Sequence, residues 1–361
     1  MTSKAFENAT DANRQQGGRR NLIINGAMQV AQRGTSATVT NAADYFLMDR
    51  YKHYRNSGGT LTAEQSTEAP AGFSHSYKLT ATSGVTASAA QLNFFQQQIE
   101  GNACYHLNLG TSDAVEFTVS FWVRSSVTGT YSIAVGNSAT NRSLVKTYSI
   151  DSANTWEYKT LTIQGDTSGS WLGGTNTGLR LWFNLGSGSN YEATEDVWNS
   201  SLELKTSGTA DWFSNTGATW QITGVQLEVG SVATPFEHRS YGEELALCQR
   251  YFYRKTFVNG YPALSGGSSD GGSAFFNIYF PVSMRASAAG ATSSPSFVTA
   301  VPAGNQISLY SNGRLAISSV AFSSLTQNMA IFKTVSSPLT TGYAATLDTG
   351  SSVYFDFNAE L

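Results

Sequence analysis

Three short stretches of two-residue alternation constrain this chain more than any other feature. In 117–124, FTVSFWVR, the residues Phe117, Val119, Phe121 and Val123 are apolar, while Thr118, Ser120, Trp122 and Arg124 share the opposite parity. YSIAVGN repeats the pattern with Tyr131, Ile133 and Val135, and GLRLWFNLG sets Leu179, Leu181, Phe183 and Leu185 against Arg180, Trp182 and Asn184. Successive side chains of a strand point to opposite faces, so each stretch has one face for a core and one turned away from it. Several such strands between Gly, Ser and Asn turns over 77–200 predict two antiparallel sheets packed face to face. The expected fold class is all-β: a polar arm at 1–20, an antiparallel jelly-roll β-sandwich at 21–239, and a short helix leading into a second, smaller β domain at 240–361.

The joint between the two β regions lies in WQITGVQLEVGSVATPFEHRSYGEELALCQRYFYRK, residues 220–255. Its first part, Gln221 to Val229, is strand-like, with Val225 and Leu227 as expected core. Ser240 followed by Glu243 has the spacing of a capping box, and Tyr241, Leu245, Cys248 and Phe252 recur at helical intervals as one expected buried stripe. With Tyr251 and Tyr253 they form the predicted domain or oligomer interface. The charges Glu237, His238, Arg239, Glu243, Glu244 and Arg250 are expected to fix one domain or subunit against the next. Nearer the start, NLIINGAMQV is expected as an apolar strand broken at Asn25-Gly26. DYFLMDRYKHYR, with its Asp49-Arg50 pair and His53, is expected as a strand with a paired surface face.

Charged residues make up 13% of the chain, against about 25% in ordinary soluble domains. The net charge of −3 provides no clustered Lys/Arg footprint for nucleic acid. Cys104 and Cys248 are too isolated for a disulfide framework or a zinc site. The first eighteen residues lack the apolar centre of a signal peptide, and no run approaches the ~18 apolar residues that mark a candidate membrane span. From Thr256 to Leu361 only seven side chains carry charge, too few to keep an ordinary monomer in solution. Buried self-association, as a homotrimer, is the expected remedy.

All seven tryptophans fall between Trp122 and Trp220. Trp122, Arg124, Arg180, Trp182 and Asn184 share the outward parity, and on one sheet they would make a platform for a sugar, since an aromatic face meets the C–H face of a pyranose well. The alternative is that this face is covered by the arm, a long loop or another subunit. A second candidate is the loop set Trp171, Tyr191 and Trp198 beside Glu192, Glu195 and Asp196. Those acids lack the ordered ligand ladder that calcium needs and read as solvated loop acids. No carboxyl pair has glycosidase spacing, and His53, His75, His106 and His238 have no nucleophile beside them. Neither catalysis nor a cofactor or metal is expected.

NLIINGAMQVAQRGTS, FTVSFWVRSSVTGTYSIAV, NTWEYKTLTI, the 220–255 stretch and YFPVSMRAS, in that order, resemble a group of bacteriophage tail-fibre and virion structural proteins. The resemblance reaches to about Ser287, and its specific part is ITGVQLE, TPFEHRS and CQRYF. The middle region also resembles carbohydrate-binding jelly rolls, many of which carry acidic residues of a calcium site on the last strand, where this chain has Ile222, Thr223, Gly224 and Val225. The resemblance implies a homotrimeric virion appendage, made in the host cytoplasm, docked to other virion proteins through the arm and attached to host-surface polysaccharide by the sandwich. The alternative is a structural virion protein, such as a capsid decoration, head fibre or tail adaptor, without glycan binding.

Overall fold

A computed structural model of the chain describes residues 19–39, 42–44, 47–257, 262–270, 273–285, 296–300, 307–310, 314–316, 319–326, 328–335, 344–349 and 353–361, for some C-terminal strands as backbone alone. The expected arm at 1–20 lies almost wholly outside them. The chain divides into two compact units, 1–244 and 245–360.

Among the described residues the first unit holds two six-stranded antiparallel sheets. Sheet I runs β1 (Ser36–Val39), β4 (Thr60–Ser66), β5 (Ser76–Ser83), β12 (Thr219–Val229), β7 (Phe117–Ser125) and β10 (Glu157–Ile163). Sheet II runs β2 (Ala42–Asp44), β3 (Tyr51–Arg55), β6 (Asn93–Glu100), β11 (Thr177–Asn184), β8 (Gly129–Gly136) and β9 (Ser143–Ile150). This is the jelly-roll sandwich that the alternation predicts. Phe117, Val119, Phe121 and Val123 of β7, Ile133 and Val135 of β8, Leu179, Leu181 and Phe183 of β11, and Ile222, Val225 and Leu227 of β12 are fully buried between the sheets. Phe95 sits among Tyr51, Tyr77, Phe183 and Trp220, with ring centroids 4.8 to 6.0 Å away. One helical turn, α1 (Gly101–Cys104), follows β6.

Residues 21–30 form no strand, contrary to expectation, although Ile23, Met28 and Val30 are buried as an apolar strand would require. Side-chain amides take the backbone bonds that a ladder would have used. Asn21 Oδ1 accepts the Ile23 and Leu227 amides at 3.0 and 3.1 Å, and Asn25 bonds both the N–H and C=O of Val30 at 2.9 and 2.8 Å. The segment 44–55 is also not one surface strand. β2 and β3 are separate, and Asp49 and Arg50 are buried between them, Asp49 against Arg33 at 2.9 Å and Arg50 on the Gln98 carbonyl at 2.6 Å.

In the second unit the described strands form a three-stranded sheet, β13 (Phe252–Phe257), β22 (Val353–Asn358) and β16 (Ser296–Ala300), and a seven-stranded one. The latter runs β18 (Arg314–Ala316), β17 (Ile307–Tyr310), β21 (Ala344–Thr349), β14 (Pro262–Asp270), β15 (Ser273–Tyr279), β20 (Met329–Val335) and β19 (Ser319–Leu325). Tyr253 and Phe280 pack on Phe357 at 6.1 and 4.8 Å, and the Arg285 guanidinium donates to the Ala359 carbonyl.

The helix α2 (Tyr241–Gln249) starts where the capping signal places it, with the Ser240 hydroxyl accepting the Glu243 amide. Its buried side is not the expected stripe. Tyr241 is 57% exposed and Leu245 half-buried, whereas Glu244, Leu247 and Cys248 are buried, as are Tyr251 and Phe252 beyond the helix. Neither Cys104 nor Cys248 is in a disulfide, and both are buried. No described helix is long and apolar enough to cross a membrane.

Candidate functional site

Trp122 leaves β7 on the side of sheet I away from the core. Tyr158 of β10 stands directly opposite it in the ladder, with ring centroids 5.3 Å apart, and remains 44% exposed. On the other flank of β7, strand β12 bulges between Thr223 and Gln226, and Gly224 in the bulge takes φ +63°. A Cβ at Gly224 would lie 2.7 Å from Phe73 Cζ and 3.2 Å from Trp122 Cδ1. The missing side chain therefore lets Phe73, from the β4–β5 loop, come down beside Trp122. Phe73 meets Phe236 at 5.0 Å and His238 at 5.3 Å, and those two rings are 5.0 Å apart. The five rings border a depression of about 420 Å³, completed by alanine, glycine, proline, Ser120 and Thr234.

Gly224→Ala is expected to cost about 1–3 kcal/mol, because the new methyl is strained at that φ and displaces Phe73. Thermal unfolding followed by tryptophan emission measures it, and an unchanged midpoint would show that Phe73 has no fixed place in the wall.

The rim at 231–238 is held from beneath. Glu228, buried in β12, accepts the Thr234 amide at 2.9 Å and the Gln226 side-chain amide at 2.7 Å, and Gln226 Oε1 accepts the Glu237 amide at 2.8 Å. Beside the depression Arg124 is already engaged, bound to Glu68 at 2.6 Å and donating to the Asn154 carbonyl at 2.7 Å. The Gln221 side-chain amide and then Arg124 hold the Glu68 carboxyl below its ordinary range, against the opposing effect of burial.

The five-residue platform expected from parity does not form. Trp122 and Arg124 belong to sheet I, whereas Arg180, Trp182 and Asn184 belong to sheet II. Parity places the sheet II residues on the outer face, but the long β11–β12 connection folds over it. Trp182 is buried with Phe94, Ala134, Val145 and Leu204, Asn184 accepts the Ser187 amide at 2.9 Å, and Arg180 donates to the Ser138 carbonyl at 3.0 Å. The loop candidates also separate. Trp171 and Trp198 pack edge to face at 5.7 Å beside the Arg142–Asp166 ion pair, while Tyr191 joins the cluster around Trp182. Glu192 pairs with Lys205 at 3.2 Å, Asp196 with Lys146 at 2.6 Å, and Glu195 accepts the Thr147 amide and hydroxyl at 2.8 and 2.9 Å. Among the described residues no group of three or more His, Cys, Asp or Glu is placed to hold a metal ion.

Sequence reasoning selected Trp122 but missed Tyr158, Phe73, Phe236 and His238. Tyr158 lies in an alternating EYKTL run, which signals its face but not its partner. Phe236 and His238 lie in TPFEHRS, where the neighbouring charges drew attention away from the rings.

The charges of that motif bind the start of the sandwich to its end. Arg239, whose side chain is 5% exposed, donates to the Asn21 and Ile23 carbonyls and pairs with Glu237 at 2.9 Å and Glu244 at 3.4 Å. Glu237 in turn accepts the Asn21 amide at 2.8 Å, and Glu244 the Asn25 amide at 2.6 Å. Burial pushes the Glu237 carboxyl up, but the Asn21 amide and Arg239 outweigh it and hold the group below the usual carboxylate range. These contacts lie within the first unit.

The sequence matches no protein-family model and no curated protein. Among solved structures, similarity is found to the enzymatically active domain of bacteriophage CBA120 tailspike protein 4, at 15% identity and TM-score 0.29, over 58% of this chain and 22% of that one. Similarity is also found to the CBM22-1 and GH10 modules of a Clostridium thermocellum endo-1,4-β-D-xylanase complexed with xylohexaose, at 13% identity and TM-score 0.30, over 60% of this chain and 30% of that one. A family 11 carbohydrate-binding module of a cellulosomal cellulase from the same organism aligns at 9% identity and TM-score 0.26, over 55% of this chain and 98% of the module. The chain thus spans less than a third of the tailspike and xylanase structures it matches.

Proposed function

We propose that this protein is a non-enzymatic phage virion appendage, a trimeric fibre or tail-tip component, whose sandwich binds host-surface polysaccharide in the depression on sheet I. The observation that carries the reading is the cross-strand pair Trp122 and Tyr158, 5.3 Å apart on an open sheet face and walled by three further rings. Flat apolar faces with a hydroxyl-bearing lining suit the C–H face and hydroxyl edge of a pyranose. A non-catalytic role is supported by the engagement of Glu192, Glu195 and Asp196 with Lys205, Thr147 and Lys146. The virion setting is supported by the likeness of ITGVQLE, TPFEHRS and CQRYF to tail-fibre and virion proteins, and the trimer by the seven charges of the last 106 residues.

Trp122→Ala and Tyr158→Ala are each expected to weaken retention on host polysaccharide by about tenfold to a hundredfold, as loss of a binding-centre aromatic does. Melting should move little, because both rings lie outside the core between the sheets. Unchanged retention in both variants would remove the glycan reading. The rival, a decoration or adaptor protein, draws on Val232, 72% exposed beside the rim residues Ala233 and Thr234. It requires that the same substitutions block particle assembly and leave glycan retention untouched.

A further inference from the structure

We infer that the depression on sheet I selects a neutral sugar bearing a methyl group where common hexoses bear a hydroxymethyl, that is, a 6-deoxyhexose unit of a polysaccharide. The inference rests on the glycan-binding reading and adds the class of sugar. Charge is the first ground. The lining contains no carboxylate, ammonium or guanidinium, and its titratable groups are the rings of Tyr158 and His238. The nearby ions are committed elsewhere: Arg124 to Glu68 at 2.6 Å, and Glu228, from beneath, to the Thr234 and Gln226 amides. An anionic sugar would leave water for a place with no ammonium or guanidinium to receive it.

The second ground is the distribution of polar atoms. Trp122 and Tyr158 supply two adjacent aromatic side chains, while Phe73 and Phe236, with His238 packed on both, form a wall whose phenyl rings have no donor or acceptor, extended by Ala71 and Ala233. Gly224 keeps Phe73 beside Trp122, so that a substituent at the edge of the sugar meets aromatic carbon. A methyl there gains contact, whereas a hydroxyl loses water without gaining a partner. The Thr234 hydroxyl is already given to Glu228 and Ser120 is buried, which leaves the Tyr158 hydroxyl and the His238 ring for the ring hydroxyls.

A site of this kind discriminates against an added hydroxyl by about tenfold to a hundredfold. The test uses the full chain and saturation-transfer NMR with methyl glycosides that differ only at C6: L-rhamnose against L-mannose and L-fucose against L-galactose, with the methyl glycoside of galacturonic acid, its carboxylate free, as the anionic probe. The deoxy member of at least one pair is expected to bind about tenfold or more tightly, with no transfer to the uronate. Phe236→Asn, which puts an amide into the wall, should narrow that ratio by strengthening the hydroxylated member. Equal binding within both pairs, tighter binding of the hydroxylated sugars, or binding of the uronate overturns the inference, while loss of the signal in Trp122→Ala keeps the glycan reading standing. Absence of transfer from every sugar, with wild type and Trp122→Ala alike on host polysaccharide, removes both.

Discussion

Arg239→Ala is expected to lower the stability of the first unit by about 3–5 kcal/mol, the usual result of removing one partner from a buried ion pair. The guanidinium satisfies the Asn21 and Ile23 carbonyls and two carboxylates at once. Its removal strands Glu244, which is 6% exposed, beside carbonyls that no longer have a donor. Tryptophan emission is the appropriate probe, since all seven indoles lie between Trp122 and Trp220 and report the first unit alone. Arg239→Lys keeps the charge but loses the planar fork, so it should recover only part of the loss. A loss below about 1 kcal/mol for the alanine variant would show that the network does not hold the N-terminal segment in place.

The second large effect is acid sensitivity centred on His53. Its ring lies within the core, 5.2 Å from Phe95 and 5.7 Å from Tyr77, and neither ring nitrogen has a hydrogen-bond partner among the described residues. Burial first, and the Arg55 charge second, push its pKa from 6.5 down to about 3. The unfolded chain therefore takes up the proton before the folded one does. Stability is complete above pH 6.5 and is lost as pH falls toward 3, by about 2 kcal/mol at pH 5 and about 4 kcal/mol at pH 3. The Glu237 carboxylate adds its own loss only below its ordinary 4.5, so between 6.5 and 4.5 the loss belongs to His53 and, to a smaller extent, to His106, whose pKa burial also lowers. Denaturant titrations at pH 7 and pH 5 should show that difference in the wild type and little of it in His53→Leu. An equal fall in both would place the sensitivity elsewhere.

These two residues also mark how far sequence reading could reach. The period of two in FTVSFWVR and GLRLWFNLG gives the face of every residue correctly, because parity is a local property of the strand. What lies on that face is not local. Trp182 and Asn184 are on the outer side as predicted, yet the loop carrying Leu204 and Tyr191 covers them, and no periodicity in that loop announces where it will settle. Tyr158 escaped for a related reason, since its place opposite Trp122 depends on the β7–β10 register. In α2 the Ser240 cap was legible, but the buried side was assigned to apolar residues alone. Glu244 occupies a buried position that an apolar count rejects, because the Asn25 amide and Arg239 satisfy its carboxylate. His53 and the Asp49-Arg50 pair look like surface residues in the sequence and are buried in the fold.

The bonding of Asn21, Ile23 and Asn25 to Glu237, Arg239 and Glu244 has a mechanical consequence. The chain enters the sandwich and leaves it at adjoining points fastened to each other. Tension applied between Arg20 and the segment after Glu244 would bear first on that knot of charges and on the bonds of Leu22 and Gly26 to β12, before the strand-to-strand ladders. The sandwich can then hang from the chain as a side-loaded module, with sheet I and its aromatic depression undistorted under load.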